Sequence, residues 1–227
     1  MKPVPRQLTL DLPVEPRFGR EDFLVSPSNA HAWDTFESWP NWPDRVLLLL
    51  GPTGAGKSHL SAIWAARTKA CVLKATALPL ADLPGLVRAP AILLEDADAA
   101  PKVENELFHL LNLVRESQTC LVITARHWPD SWGLATRDLL SRLRLAPAVE
   151  IGEPDDALVR AVLVKLFVDR QLVVDTSVVE YLALRIERSI DAARAIVEAL
   201  DREALAQRRP ITRPIAADVL RRLEGQE

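Results

Sequence analysis

The chain has 227 residues, of which 48% are hydrophobic and 26% charged, with a formal net charge of −3. That length fits one domain, or a medium domain with a small appendage, and the apolar fraction supports a sizeable core. The near-balanced charge removes any electrostatic case for wrapping nucleic acid as a main activity.

Residues 1–20 carry Pro3, Pro5, Pro13 and Pro16. Proline at this density blocks helix and favours an extended chain, so the segment reads as a flexible tail. A helix is predicted around Asn29 to Trp39, with Ser28 or Asn29 as its cap. Strands and helices then alternate: Val46 to Leu50 a strand, Lys57 to Thr68 a helix, Cys71 to Leu73 and Ala91 to Leu94 strands. Glu104 to Glu116 reads as a helix with Leu107, Leu110, Leu111 and Val114 on one face. Cys120 to Thr124 and Ala148 to Ile151 complete the strands. This alternation predicts an α/β fold, a parallel sheet flanked by helices over residues 21–154. After Pro154 only helical patterns follow: Asp155 to Arg170, Thr176 to Glu187, Asp191 to Ala206 and Pro214 to Glu224. Residues 155–227 therefore read as a small all-helical domain.

Cys71 and Cys120 each sit in a short apolar run and are predicted to be buried, reduced thiols. They are far apart, and the histidines show no ligand spacing, so no structural zinc site is expected. No apolar run approaches the roughly 20 residues that a membrane-spanning helix needs. Lys2 and Arg6 are not followed by the apolar core of a signal peptide. The expectation is a cytoplasmic protein with no membrane partner.

Gly51, Pro52, Thr53, Gly54, Ala55, Gly56, Lys57 and Ser58 match the pattern GxxxxGK[ST] in full, between a predicted strand and a predicted helix. Glycines at these places let backbone N–H groups curl around an anion, and the following helix offers its positive end to phosphates. Lys57 then reaches the β- and γ-phosphates, and the Ser58 hydroxyl ligates Mg²⁺. ADP or ATP with Mg²⁺ is the expected ligand. Glu95 and Asp96 end the third strand, where P-loop proteins place the acid that holds the Mg²⁺ shell. The usual first acid is Asp. Glu95 is one methylene longer, which leaves Asp96 as the better candidate for positioning an attacking water. Thr124 and Arg126 end the next strand, where a polar group can reach the γ-phosphate or that water. Arg142 precedes the last strand, and Arg194 lies on a helix of the appended domain, from which a cation can cover bound phosphates.

This order of P-loop, acidic strand end, polar strand end and two late arginines resembles the AAA+ ATPases. Finer matches are similar to the bacterial initiator DnaA and its shorter relatives. They are Gly56-Lys57-Ser58-His59-Leu60 at the P-loop exit, Asn105-Glu106-Leu107-Phe108-His109 followed by Asn112, and Pro27-Ser28-Asn29 after Phe23. The resemblance implies that Thr124 is sensor 1 and that Arg142 is an arginine finger serving a neighbour's nucleotide. It also implies that Arg194 is sensor 2, that His59 belongs to the nucleotide site, and that the segment Pro27-Ser28-Asn29 touches the adenine. The sequence stops after the helical segment, so the initiator's DNA-binding domain is not expected. Arg208, Arg209 and Arg213 are surrounded by acids and read as a solvated helix end, so no direct sequence-specific DNA binding is expected either.

Gln7-Leu8-Thr9-Leu10-Asp11-Leu12 resembles the short peptide with which bacterial proteins dock onto the DNA polymerase sliding clamp. Leu8, Leu10 and Leu12 alternate, so an extended chain puts them on one side, with the Gln7 amide free to orient them. Three buried leucines give a gross total of roughly 5–9 kcal/mol, against association costs of similar size. Docking by the tail alone is then on the order of micromolar, and a homodimer on a ring of repeated sites gains avidity. Together these features resemble the Hda family of regulators that inactivate DnaA. The resemblance implies a protein that promotes hydrolysis of DnaA-bound ATP with the DNA-loaded clamp and prevents over-initiation, with weak hydrolysis of its own. The alternative is a helicase loader or other replication assembly factor, which shares the nucleotide site but needs no clamp peptide. A small-molecule kinase would need an arginine-rich mobile lid, and the separate helical domain argues against it.

Overall fold

The five consecutive apolar residues Val46–Leu50 form the strand β1, and all five are buried. A strand covered on both faces belongs inside a parallel sheet. The computed structural model, which describes residues 19–207 and 209–225, has five strands in the order β2-β3-β4-β1-β5, all paired parallel. The others are β2 (Cys71–Lys74), β3 (Ala91–Glu95), β4 (Cys120–Ala125) and β5 (Ala148–Glu150).

The two-residue alternation of a strand divides these side chains between two cores. Val46, Leu48, Leu50, Ile92, Leu94, Leu121 and Ile123 face one side. There they meet helices α4 (Glu104–Glu116) and α5 (Arg137–Leu145), through Leu107, Leu110, Leu111 and Val114 and through Leu139 and Leu143. Leu47, Leu49, Leu93, Val122 and Val149 face the other side. They pack against α1 (Ala30–Glu37) and α2 (Lys57–Thr68) through Ala32, Phe36, Leu60 and Trp64. The short α3 (Leu83–Leu86) lies between β2 and β3 in the chain.

The chain divides into two compact units, the first ending at Glu153 and the second running from Pro154. Among the described residues the second unit is helical: α6 (Asp156–Asp169), α7 (Thr176–Ala183), α8 (Ile190–Gln207) and α9 (Arg213–Glu224). Its core joins Leu163, Phe167, Leu182, Ile196, Leu200 and Val219. Asp155 caps α6 by accepting the Leu158 N–H at 2.8 Å, and Asp175 caps α7 by accepting the Ser177 N–H at 2.8 Å.

Three local expectations need correction. Cys71 and Cys120 are free but only half-buried, because each lies at the first residue of its strand, where the sheet's cover thins. Asn29 occupies the N-cap position of α1 but makes no side-chain cap. Its amide instead accepts from the Ser26 N–H at 2.8 Å and donates to the Leu24 carbonyl at 3.0 Å, closing the preceding turn. The helix α7 ends at Ala183 rather than at Glu187.

Candidate nucleotide site

The loop between β1 and α2 is shaped by glycine. Gly51 has φ 148°, and a Cβ there would lie 2.3 Å from the Ile151 carbonyl oxygen, a backbone atom that cannot yield. Gly56 has φ 106° and is the N-cap of α2, with no side chain over the helix start. The first N–H groups of α2 therefore open toward the loop, which is the arrangement that holds phosphate. Lys57 Nζ donates to the carbonyls of Gly51 at 2.6 Å and Pro52 at 2.8 Å, which sets its ammonium across the mouth of the loop.

An aromatic wall stands beside the first turn of α2. His59 Nε2 is 3.1 Å from the Gly19 carbonyl. The Phe23 ring meets the His59 ring edge-on at 5.3 Å and stacks on Trp33 at 5.0 Å. The segment is fixed by the Asn29 turn and by the Gly152 N–H, which donates to the Ser28 carbonyl at 2.8 Å. In the sequence Phe23 drew notice only through resemblance, Ser28 also as a candidate helix cap, and Trp33 was given no role in the site. Its place in the wall depends on the fold of α1.

The acidic end of β3 sits at the same end of the sheet. Alternation puts Glu95 on the face of Leu93, the face that α2 covers. Burial and the neighbouring Asp96 push the Glu95 carboxyl above its ordinary value, against the pull of Lys74. Asp96 leaves the strand with φ 57°, a left-handed turn that Asp tolerates. Its carboxylate lies 3.5 Å from Lys74 Nζ. Its N–H donates to the hydroxyl of the buried Thr124 at 3.3 Å. Thr124 is opposite Leu49 in the β1–β4 register, two residues before Gly51, so the P-loop, Glu95, Asp96 and Thr124 gather at one sheet end. Arg126, just beyond, is tied to Asp98 by a 2.5 Å hydrogen bond.

Arg142 stands apart from this cluster, on α5. Its Nη1 donates to Asn112 Oδ1 at 2.6 Å, its Nε to Asp138 Oδ2 at 3.2 Å, and its guanidinium lies 4.8 Å from the Phe108 ring centroid. Arg194 is half-buried on α8, in the helical unit. Gln7, Leu8, Leu10 and Leu12 lie outside the described residues. Among the described residues no three His, Cys, Asp or Glu side chains cluster to hold a metal ion. No helix there is long and apolar enough to cross a membrane.

Residues 156–220 match the family model described as Hda, lid domain. Among solved structures, domain III of the replication initiation protein DnaA of Thermotoga maritima is similar. It superposes with a TM-score of 0.75 at 16% identity, over 92% of this chain and 98% of that one. AMPPCP-bound DnaA from Aquifex aeolicus gives 0.70 at 18% identity, over 81% of this chain and 64% of that one. The FIGL-1 AAA domain in complex with ADP gives 0.62 at 18% identity, over 83% and 74%. No curated protein matches by sequence. These likenesses bear out the expected parallel α/β architecture as an AAA+ fold with a helical lid.

Proposed function

We propose that this chain, an AAA+ protein with a DnaA-type fold and an Hda-type lid, is a nucleotide-bound regulator that promotes hydrolysis of ATP on the DnaA initiator. The observation that carries this reading is the match of residues 156–220 to the Hda lid, joined to a P-loop whose glycines are conformationally required.

The loop Gly51 to Ser58 and the first N–H groups of α2 hold the phosphates of ADP or ATP. Lys57 turns from its carbonyl partners to the β- and γ-phosphates. Phe23, with Trp33 behind it, and His59 flank the base. By resemblance, Arg194 on α8 is the sensor-2 arginine. Ser58 and Glu95 supply the hard oxygen donors that suit Mg²⁺. Burial first, and then the neighbouring Asp96, push the Glu95 carboxyl up, and a cation beside it would offset both. Bound Mg²⁺ supplies charge neutralisation at the phosphates. Ser58 and Glu95 would be its protein donors, with the rest of its shell supplied by nucleotide and water. Asp96, turned toward Lys74, and Thr124 are the residues closest to a water-positioning role.

Arg142 acts on the partner. A guanidinium placed at the γ-phosphate of DnaA-bound ATP stabilises the charge that develops during transfer. By analogy with GTPase activation, such a group is worth roughly 10³–10⁵ in rate. Residues 7–12 dock this protein on the DNA-loaded sliding clamp, which ties its action to replication that has begun and so prevents over-initiation; a homodimer would gain avidity there. The test is ATP hydrolysis by DnaA with and without this protein and DNA-loaded clamp.

A further inference from the structure

The groups that hold Arg142 lie on one stripe of α4. Glu104, Phe108 and Asn112 are spaced by four residues, so they line one side of the helix. All three grip α5 or its approach. The Glu104 carboxylate accepts the N–H groups of Ala135 at 2.8 Å and Thr136 at 2.9 Å, the two residues that lead into α5. The Phe108 ring supports one face of the Arg142 guanidinium at 4.8 Å, and Asn112 Oδ1 takes one Nη1 proton at 2.6 Å. The adjoining stripe of α4, with Leu107, Leu110, Leu111 and Val114, is buried in the core, so the helix itself is firmly seated.

A guanidinium has five N–H groups. Asn112 engages one on Nη1, and Asp138 Oδ2 lies 3.2 Å from both Nε and Nη2. At least one N–H on Nη1 and one on Nη2 remain after these bonds, and such terminal N–H groups can meet phosphate oxygens. The side chain keeps 26% of its surface exposed, so it can be reached.

We infer that the Glu104–Phe108–Asn112 stripe is the positioning element of Arg142, setting the plane and place of its guanidinium before a partner's phosphate arrives. This rests on the reading that Arg142 acts on a partner's ATP. A flexible arginine held only by Asp138, four residues away on the same helix, would be an ordinary surface ion pair with little directional hold. Stacking and the Asn112 bond supply the orientation that preorganised electrostatic catalysis needs.

The experiment measures ATP hydrolysis by DnaA with DNA-loaded clamp across concentrations of this protein, for wild type, Arg142→Ala, Asn112→Ala, Asn112→Asp and Phe108→Leu. Asn112→Ala and Phe108→Leu should each lower the maximal stimulated rate about tenfold, with the half-saturating concentration changed less than about twofold. Asn112→Asp, which keeps an acceptor oxygen in place, should recover most of the rate. Melting temperatures close to wild type identify variants that fold, and Phe108→Leu carries the test if Asn112→Ala does not. An inactive Arg142→Ala beside an Asn112→Ala and a Phe108→Leu of wild-type maximal rate overturns the positioning role and leaves the proposed function standing. An Arg142→Ala as active as wild type overturns the proposed function and this inference together.

Discussion

The backbone N–H of Asp96 donates to the Thr124 hydroxyl at 3.3 Å, joining the end of β3 to the end of β4. Asp96 has turned out of the strand with φ 57°, and its N–H finds this acceptor on the neighbouring strand. Thr124→Val keeps the shape of a side chain that is 4% exposed and removes the acceptor. It should cost about 1 kcal/mol of stability, the net worth of a typical hydrogen bond. Urea unfolding measures it, and an unchanged midpoint would contradict the role given to this bond.

Lys57→Ala removes the ammonium that spans the P-loop carbonyls of Gly51 and Pro52. Nucleotide affinity should fall by about 100-fold or more, the scale of a lost charge-assisted contact to phosphate. The helix α2 should persist, since its buried anchors Leu60 and Trp64 are untouched. Calorimetric titration with ADP measures the affinity, and wild-type binding by the variant would dismiss the site.

Asp98 supplies a pH test. Burial pushes its carboxyl up, but the hydrogen bond and charge of Arg126 outweigh that, and the carboxyl sits below its ordinary value of 3.8. A lowered value in the fold means that the stabilisation is full above the ordinary value and is lost as pH falls through the folded one. The melting temperature of wild type should therefore exceed that of Asp98→Asn at neutral pH, and the gap should close below about pH 4. A gap that stays constant down to acid pH would contradict the pairing.

Residues 7–12 carry the proposed clamp contact. Replacing Gln7 and Leu10 together with Ala should abolish capture by sliding clamp, since the tail alone binds only on the order of micromolar. Nucleotide binding should be unaffected. A pull-down that still recovers clamp would remove the peptide from the account.

Much of the nucleotide-binding unit was legible because its signals are local. Val46–Leu50 is apolar at every position, Ala91–Glu95 is apolar until its acid, and the P-loop residues announce their backbone needs by being glycine. The segment α5 was missed. Arg137–Leu145 shows only Leu139 and Leu143 as its buried positions among several charges, and nine residues are short for a periodicity to stand out. The helix α3 contains Pro84 and Gly85, which propensity argues against, and it forms where Leu83 is buried. The grip of Asn112 on Arg142 joins positions 30 apart and exists only once α4 and α5 pack on the same sheet face. The Trp33 wall behind Phe23 is likewise a product of tertiary packing.

The central claim is that Arg142 of this protein drives hydrolysis of ATP held by another. The direct measurement is the rate of ATP turnover by DnaA, with and without DNA-loaded clamp, in the presence of wild-type protein or Arg142→Ala. The account predicts stimulation by wild type only when clamp is present, and a fall toward the unstimulated rate for Arg142→Ala, by roughly 10³-fold if the full contribution of an arginine in trans is realised. Equal stimulation by the two proteins, or no stimulation by wild type with clamp on DNA, would contradict it.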